Sequence, residues 1–597
     1  MPPVSNPFVA YLNRYTTASP DHEAAFDEFL AQATPPAAGP LQLHAKVERF
    51  LQACFTHPNP PSVILTGNAG DGKTYLCRKV AAEFGQKAID DWDTLAKQPL
   101  RRDGIDLYIV KDLSELSESQ GAAVLQRLAT SLQNEQSTQR YLIAANEGRL
   151  RSLLSQPDLI SLSQRINQQL HGRPEADSSD IIVINLTQVS TSSFVPVVLG
   201  WMTDERHWSA CAPCPIRERC PILHNARHLR ATYIVERVQL LYQLLEHLDI
   251  HVTVRDMLIH LSYSLAGNLA CADLQRTAEH HDCSRLVYYE NIWGRENDSA
   301  FRRKASVLQH LERLRIGLHS LFEIDDFIVS GADRQEWAAE HTQLFVPAVD
   351  LHGRQFEQDR KAYVEGGAEH EAGKEARAML EWLPHCRRKL FFEWPKPQHM
   401  NQLIAFQYYE TYRQLLRQER SGQNEDIRQL LVLGLNRAFS RLYLTDSTTL
   451  YVTSQYLHSA EQSRPLVRLS IPVSAIILHV DHEREQRFDC VWPNLYLRIG
   501  APPELLHHDP SAAARPQQWR LNLLLFEYLM RLAHGGTYNV LAEECELSVR
   551  NLKDSLLSAF GRDTNHKDRV EFFVAERRQY TLKRLSIDEQ GRIRPGG

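Results

Sequence analysis

Short apolar runs separated by helical stretches organise the N-terminal third of the chain. Val63-Ile64-Leu65, Ile105 to Val110 (IDLYIV), Tyr141 to Ala145 (YLIAA) and Ile181 to Ile184 (IIVI) have strand length and no helical period. Between them, Tyr75 to Phe84, Gly121 to Asn134 and Gly148 to Leu170 space their apolar residues at helical intervals. Strands alternating with helices predict a parallel αβα sheet whose ligand sits at the carboxyl ends of the strands.

Beyond the sheet the period changes twice. From Tyr233 to about Leu318, stripes such as Val235-Val238-Leu241-Leu244 predict a helical lid and an α-helical domain after it. Acid and base alternate from Glu357 to Arg377, the mark of a solvated helix or a mobile segment. Arg387-Arg388-Lys389 then precede Leu390-Phe391-Phe392-Glu393-Trp394. Basic residues beside aromatics can grip a nucleic-acid strand, though a helix with a core aromatic stripe is the commoner origin. Between Leu442 and Ile499 the period falls toward two, predicting a small β domain. Helices over Leu521 to Leu532 and Leu541 to Phe560 follow, then a hairpin of Val570–Val574 and Tyr580–Leu585 around Arg577-Arg578. That ending fits a winged-helix-like module, with Arg550, Lys553, Arg577 and Arg578 as candidate DNA contacts.

The domain division expected from these changes has six parts. Residues 1–195 form the core with N-terminal helices, 196–230 a Cys-rich insertion and 231–330 the lid. A helical domain (331–425), the β domain (426–510) and the C-terminal module (515–597) complete it.

Composition sharpens the class without naming the chemistry. A chain of 597 residues exceeds what one hydrophobic core supports. Apolar content of 43% and charged content of 23% are those of a soluble globular protein. The net charge of −6 gives no global attraction to a polyanion, so any nucleic-acid surface must be local. The N-terminus lacks a signal-peptide pattern, and no apolar run approaches the ~20 residues of a membrane span, so the expected location is cytoplasmic. Ten scattered cysteines do not make a disulfide scaffold and suit a reducing compartment.

The first strand runs into Gly67-Asn68-Ala69-Gly70-Asp71-Gly72-Lys73-Thr74-Tyr75, matching G-x-x-x-x-G-K-T. Glycines let backbone N–H groups turn inward around phosphate oxygens, and the following helix aims its own N-terminal donors at the same anion. Lys73 would reach the β- and γ-phosphates of ATP, and the Thr74 hydroxyl would hold Mg²⁺. At the later strand ends, Asp112 is the candidate Walker B carboxylate for Mg²⁺, and Asn146 stands where a residue could orient the attacking water. Glu115 and Glu147 both remain candidates for the water-activating base. Arg255 lies in the first turn of a lid helix, against the helix dipole, where a γ-phosphate would justify it. Helix-cap or surface roles compete for Asp112, Asn146 and Arg255.

One cysteine cluster stands out: Cys211, Cys214 and Cys220, followed by His224. A Cys-x₂-Cys turn offers two thiolates to one tetrahedral ion, so structural Zn²⁺ is expected, with His207 and His228 competing with His224 as fourth ligand. An iron–sulfur centre would need a fourth thiolate. Cys54, Cys77, Cys271, Cys283, Cys386, Cys490 and Cys545 sit singly and are expected to be core thiols.

Taken together, GNAGDGKT, the strand ends KDLSE and NEG, the CxxCx₅CP cluster and TVRDML resemble the DptF-type ATPases of phosphorothioation-dependent bacterial DNA restriction. YYENIWG, RKLFFEW and LLFEYLMRLAHG extend the resemblance over most of the chain. It implies an AAA+/STAND-like P-loop NTPase core and places Asn146 and Arg255 as sensor-1 and sensor-2 residues. It also implies antiphage defence alongside restriction-system partners (a second ATPase or a nuclease subunit), with DNA as target. A homo-oligomer is compatible with it. Leu113 directly follows Asp112, where typical AAA+ proteins carry an acid. No nuclease constellation is visible.

Overall fold

The computed structural model describes residues 4–15, 36–84, 97–134, 136–171, 180–277, 286–294, 302, 305–346, 355–366, 373–394, 403–417, 424–454, 466–502, 516–536, 542–561, 569–576, 579–587, 590 and 592–595. They form two compact units. The first comprises Met1–Glu246, Ile250–Ala405 and Arg487–Val491; the second comprises His247–Asp249, Phe406–Gln486 and Trp492–Gly597.

The first unit is built on a five-stranded sheet of β1 (Ser62–Thr66), β2 (Leu100–Arg102), β3 (Ile105–Val110), β4 (Gln139–Ala145) and β5 (Ile181–Asn185), in the order β2-β3-β4-β1-β5. The helices used below are α1 (Pro7–Asn13), α2 (Lys46–Thr56), α3 (Lys73–Glu83), α4 (Glu118–Gln133), α5 (Glu147–Leu154), α6 (Ile160–His171), α7 (Pro221–His228), α8 (Val254–Ala266), α9 (Cys271–Thr277) and α10 (Lys374–Glu393). Strands β3, β4, β1 and β5 pair in parallel, as their apolar runs predict. β2 departs from that expectation: it runs antiparallel to β3. Asp103 and Gly104, both at positive φ, close the two strands into a tight hairpin, the turn that the pair Asp-Gly favours.

The strands are apolar on both faces because both faces are covered. Val63, Leu65, Leu107, Ile109, Leu142 and Ala144 pack on the side of α2 and α3. Their neighbours Ile64, Val110, Tyr141, Ile143 and Ala145 pack on the side of α4, α5 and α6. That period of two, read across three strands, is the pleat sorting side chains between two layers of helix. The crossover leaving β1 therefore uses one face and the crossover leaving β4 the other. Adjacent parallel strands whose connections part in this way open a crevice at their carboxyl ends. It falls between Thr66 and Ala145.

The second unit contains α11 (Glu425–Ser440), α12 (Leu523–Ala533), α13 (Ala542–Phe560) and two antiparallel sheets. Strands β6 (Thr449–Ser454), β7 (Leu466–Pro472), β11 (Arg569–Glu576), β12 (Gln579–Ile587) and β13 (Ile593–Pro595) form one, in the order β13-β12-β11-β7-β6. Strands β8 (Ile476–Asp481), β9 (Asn494–Ile499) and β10 (Gln517–Arg520) form the other. The C-terminal hairpin is present where the pattern places it. It is not set apart from the β region, however, because Glu571 and Phe572 pair with Val467 and Leu466. The segments 426–510 and 515–597 thus share a sheet, a pairing between distant strands that local periodicity cannot express. Among the described residues, no helix is long and apolar enough to cross a membrane.

Candidate functional site

The glycine loop leaves the fully buried β1 and enters α3 directly. Gly72 caps that helix at φ +87°, a left-handed conformation that lets the backbone turn straight into Lys73. Gly70 has φ +102°, and a Cβ there would lie 2.7 Å from Thr253 Oγ1 and 3.0 Å from Arg255 Cβ. Its glycine therefore serves both the turn and the approach of the segment before α8.

Lys73 is 8% exposed and folds back on the loop, its Nζ donating to the carbonyls of Gly67 (2.9 Å) and Asn68 (2.7 Å). Burial pushes the ammonium pKa down; the charges of Asp71 and Asp112 oppose that shift, and Arg255 adds to it. Two acids and one further cation thus surround the ammonium. Asn68 and Ala69 are exposed at the mouth, and Thr74 occupies the second position of α3. Tyr75 faces elsewhere: its hydroxyl donates to Glu48 on α2 at 3.4 Å, so only its backbone N–H is left for an anion at the helix start.

The start of α8 and the segment before it are joined to the glycine loop through Arg255, a residue the sequence singles out, and through His251, which it does not. His251 Nε2 lies 2.8 Å from Asp71 Oδ1, while Asp71 Oδ2 accepts the Asn68 N–H at 2.6 Å. The Arg255 N–H donates to the Gly70 carbonyl at 3.2 Å. Thr253 is the N-cap of α8, as expected, its hydroxyl accepting from Asp256 N at 3.1 Å. Asp71 was legible only as a loop residue, and His251 carried no motif.

The strand-end candidates are held by caps. Asp112 Oδ1 accepts from Ser114 N at 2.7 Å, and Asn146 Oδ1 accepts from Gly148 N at 2.9 Å. Asn185 does the same at the end of β5, accepting from Thr187 N. A shared capping role accounts for the residue type at all three ends. It engages one oxygen of Asp112 and leaves the carboxylate charge beside Lys73. Glu115 pairs with Lys111 at 3.2 Å and Glu147 with Arg151 at 2.6 Å. Leu113, directly after Asp112, is fully buried.

At the Cys-rich insertion, Cys211, Cys214 and Cys220 are free thiols, as is Cys271. Burial raises the Cys211 pKa and pushes that of Cys220 up to about 11. The rings of His224 and His228 lie 4.1 Å apart at a tilt of 32°, and His228 approaches Glu393 at 3.5 Å. His207 lies flat against Phe8 at 3.7 Å. Among the described residues, no group of three or more His, Cys, Asp or Glu side chains is already poised to hold a metal ion.

The basic-aromatic run of α10 belongs to the core. Arg387 forks onto Asp325 at 2.6 and 2.7 Å, Arg388 pairs with Glu290 at 2.8 Å and Lys389 with Glu393 at 2.7 Å. Tyr288 donates to the same Glu393 at 2.8 Å, joining the YYENIWG and RKLFFEW phrases. In the second unit, Arg550 is exposed on α13; burial lowers the Lys553 pKa, Asp554 opposes the shift, and Arg441 and Arg550 add to it. Lys583 and Arg584 are tied to Glu576 and Glu571, each at 2.9 Å, which cancels part of the hairpin's positive charge. Arg577 and Arg578 lie outside the described residues.

Comparison with protein-family models, with curated proteins and with solved structures finds no match to the chain.

Proposed function

We propose that the chain is an ATP-binding P-loop NTPase of AAA+/STAND-like type that hydrolyses Mg-ATP and passes the change to its lid. One observation carries the reading. The glycine loop at the central crevice presents Lys73 among Asp71, Asp112 and Arg255, while the lid segment bonds to the loop through His251 and Arg255. In this reading the loop N–H groups and the start of α3 take the phosphates, and Lys73 exchanges its two carbonyl partners for phosphate oxygens. Thr74 and Asp112 hold Mg²⁺, and Asn146 orients water.

The resemblance to DptF-type ATPases supplies the proposed setting, an antiphage restriction complex acting on DNA with partner proteins. Arg550 and Lys553 are the described residues offered for DNA contact.

A second reading, a nucleotide-gated scaffold with little turnover, is favoured by a separate observation. Both candidate bases are engaged in ion pairs, and the position after Asp112 is a buried leucine. Calorimetric titration of ATP with wild-type protein and Lys73→Ala tests the common core: binding lost in the variant is expected, and undiminished binding overturns both readings. Multiple-turnover phosphate release, with and without DNA, separates them.

A further inference from the structure

The Cys-rich insertion meets the helix after the lid at a point that motif spacing does not reveal. Asn6, 2% exposed and the N-cap of α1, donates its backbone N–H to Cys271 Sγ at 3.5 Å. Its side-chain amide donates to Cys211 Sγ at 3.3 Å and to the His207 carbonyl at 3.0 Å. Gln275, one turn beyond Cys271 on α9, donates to Cys214 Sγ at 3.8 Å. Cys220, the third cysteine of the insertion, is the N-cap residue of α7. None of the four is in a disulfide.

A neutral thiol is a poor acceptor, so three amide N–H groups aimed at sulfur are weakly satisfied. The same donors around thiolates make charge-assisted bonds, the pattern of partners that orient metal ligands from outside. Several thiolates together need a cation at their centre.

We propose that Cys211, Cys214, Cys220 and Cys271 form a four-thiolate Zn²⁺ site, with Asn6 and Gln275 holding the sulfurs from outside. Cys271 takes the fourth position in place of His224, because the amide donors of Asn6 reach the sulfurs of both Cys211 and Cys271. The four sulfurs close on one ion by cysteine side-chain rotation. The site ties the segment before α1, the insertion and α9 together. Because α9 follows α8, the ion fixes the end of the lid opposite His251 and Arg255.

Metal analysis of the purified full-length chain, with zinc-edge X-ray absorption on the wild type, tests this. The expected result is one zinc per chain with four sulfurs at about 2.3 Å and no nitrogen at about 2.0–2.1 Å. Three sulfurs with one nitrogen, iron with acid-labile sulfide, or no bound metal each overturns the proposal. Cys271→Ser is expected to lose the zinc and His224→Ala to keep it; the reverse overturns the assignment of Cys271. Should Cys271→Ser fail to fold, Asn6→Ala gives a milder readout. Its zinc affinity is expected to fall by about 10-fold or more, by competition with a chelator, and an unchanged affinity removes Asn6 from the site.

Discussion

His251 Nε2 sits 2.8 Å from Asp71 Oδ1, with the Asp71 side chain 3% exposed, so a residue of the segment before α8 grips the acid inside the glycine loop. A hydrogen bond to a charged group contributes about 1.5–3 kcal/mol when buried, roughly a ten-fold or larger effect on the contact it closes. His251→Ala is therefore expected to loosen the lid and speed release of a fluorescent ATP analogue by about ten-fold. Stopped-flow displacement measures it; an unaltered release rate means that the lid does not restrain the loop.

Gly70 tests the same junction from the other side. In Gly70→Ala the new methyl would meet Thr253 Oγ1 at 2.7 Å and Arg255 Cβ at 3.0 Å, with φ held at +102°. A strained residue of this kind costs about 1–3 kcal/mol. The variant is expected to melt at lower temperature and to bind ATP more weakly, by differential scanning calorimetry and isothermal titration.

Asp112 joins a cap and a charge, and the two separate by substitution. Asp112→Asn keeps an oxygen for the Ser114 N–H but removes the charge beside Lys73. Its stability is expected to match the wild type while Mg²⁺-dependent ATP binding falls. Asp112→Ala loses both, with a further cost of about 1 kcal/mol for the cap. Paired urea melts and Mg²⁺ titrations distinguish the two effects.

In the second unit, Gly434 on α11 packs against the backbone of α12. A Cβ there would lie 2.3 Å from the Leu529 carbonyl oxygen, a contact that no rotamer relieves. Gly434→Ala is expected to destabilise that unit by about 1–3 kcal/mol through overpacking. Nucleotide affinity is expected to be preserved, a split that thermal melts and titration can read in one preparation.

Acid sensitivity is expected from His260, fully buried on α8. Its Nε2 donates to the Ile292 carbonyl at 2.9 Å, and its Nδ1 accepts from the Tyr242 hydroxyl at 2.6 Å. Burial lowers its pKa from 6.5 to about 4. Between those values the unfolded chain binds the proton and the folded chain does not, so the contribution is complete above pH about 6.5 and declines as pH falls toward about 4. His341 and His310 are lowered for the same reason and act in the same direction. The melting temperature is expected to drop across that interval, and the drop is expected to be shallower in His260→Gln.

Short-range features were legible in the sequence, and long-range ones were not. Each apolar run became a strand because burial on two faces demands near-continuous hydrophobicity. The glycine loop was readable because its backbone conformation restricts residue type locally. Asn6, His251 and Cys271 carried no signal, since each acts on residues far away in the chain. The run Arg387-Arg388-Lys389 looked like a phosphate grip only until Asp325, Glu290 and Glu393 appeared beside it. Likewise β7 and β11 gave clear strand patterns but no indication that they pair.

Phe488 adds a consequence for how the chain can be divided. It packs in the wall beneath α3, and Asp489 accepts twice: its side chain from the Lys46 N–H at 2.6 Å and its carbonyl from the Ser190 N–H at 2.7 Å. The first unit therefore receives its last wall only after residues 406–486 have left the ribosome. A polypeptide ending at Ala405 would lack Phe488 from the apolar cluster beneath α3, so synthesis through residue 491 is the condition for a closed core in the first unit.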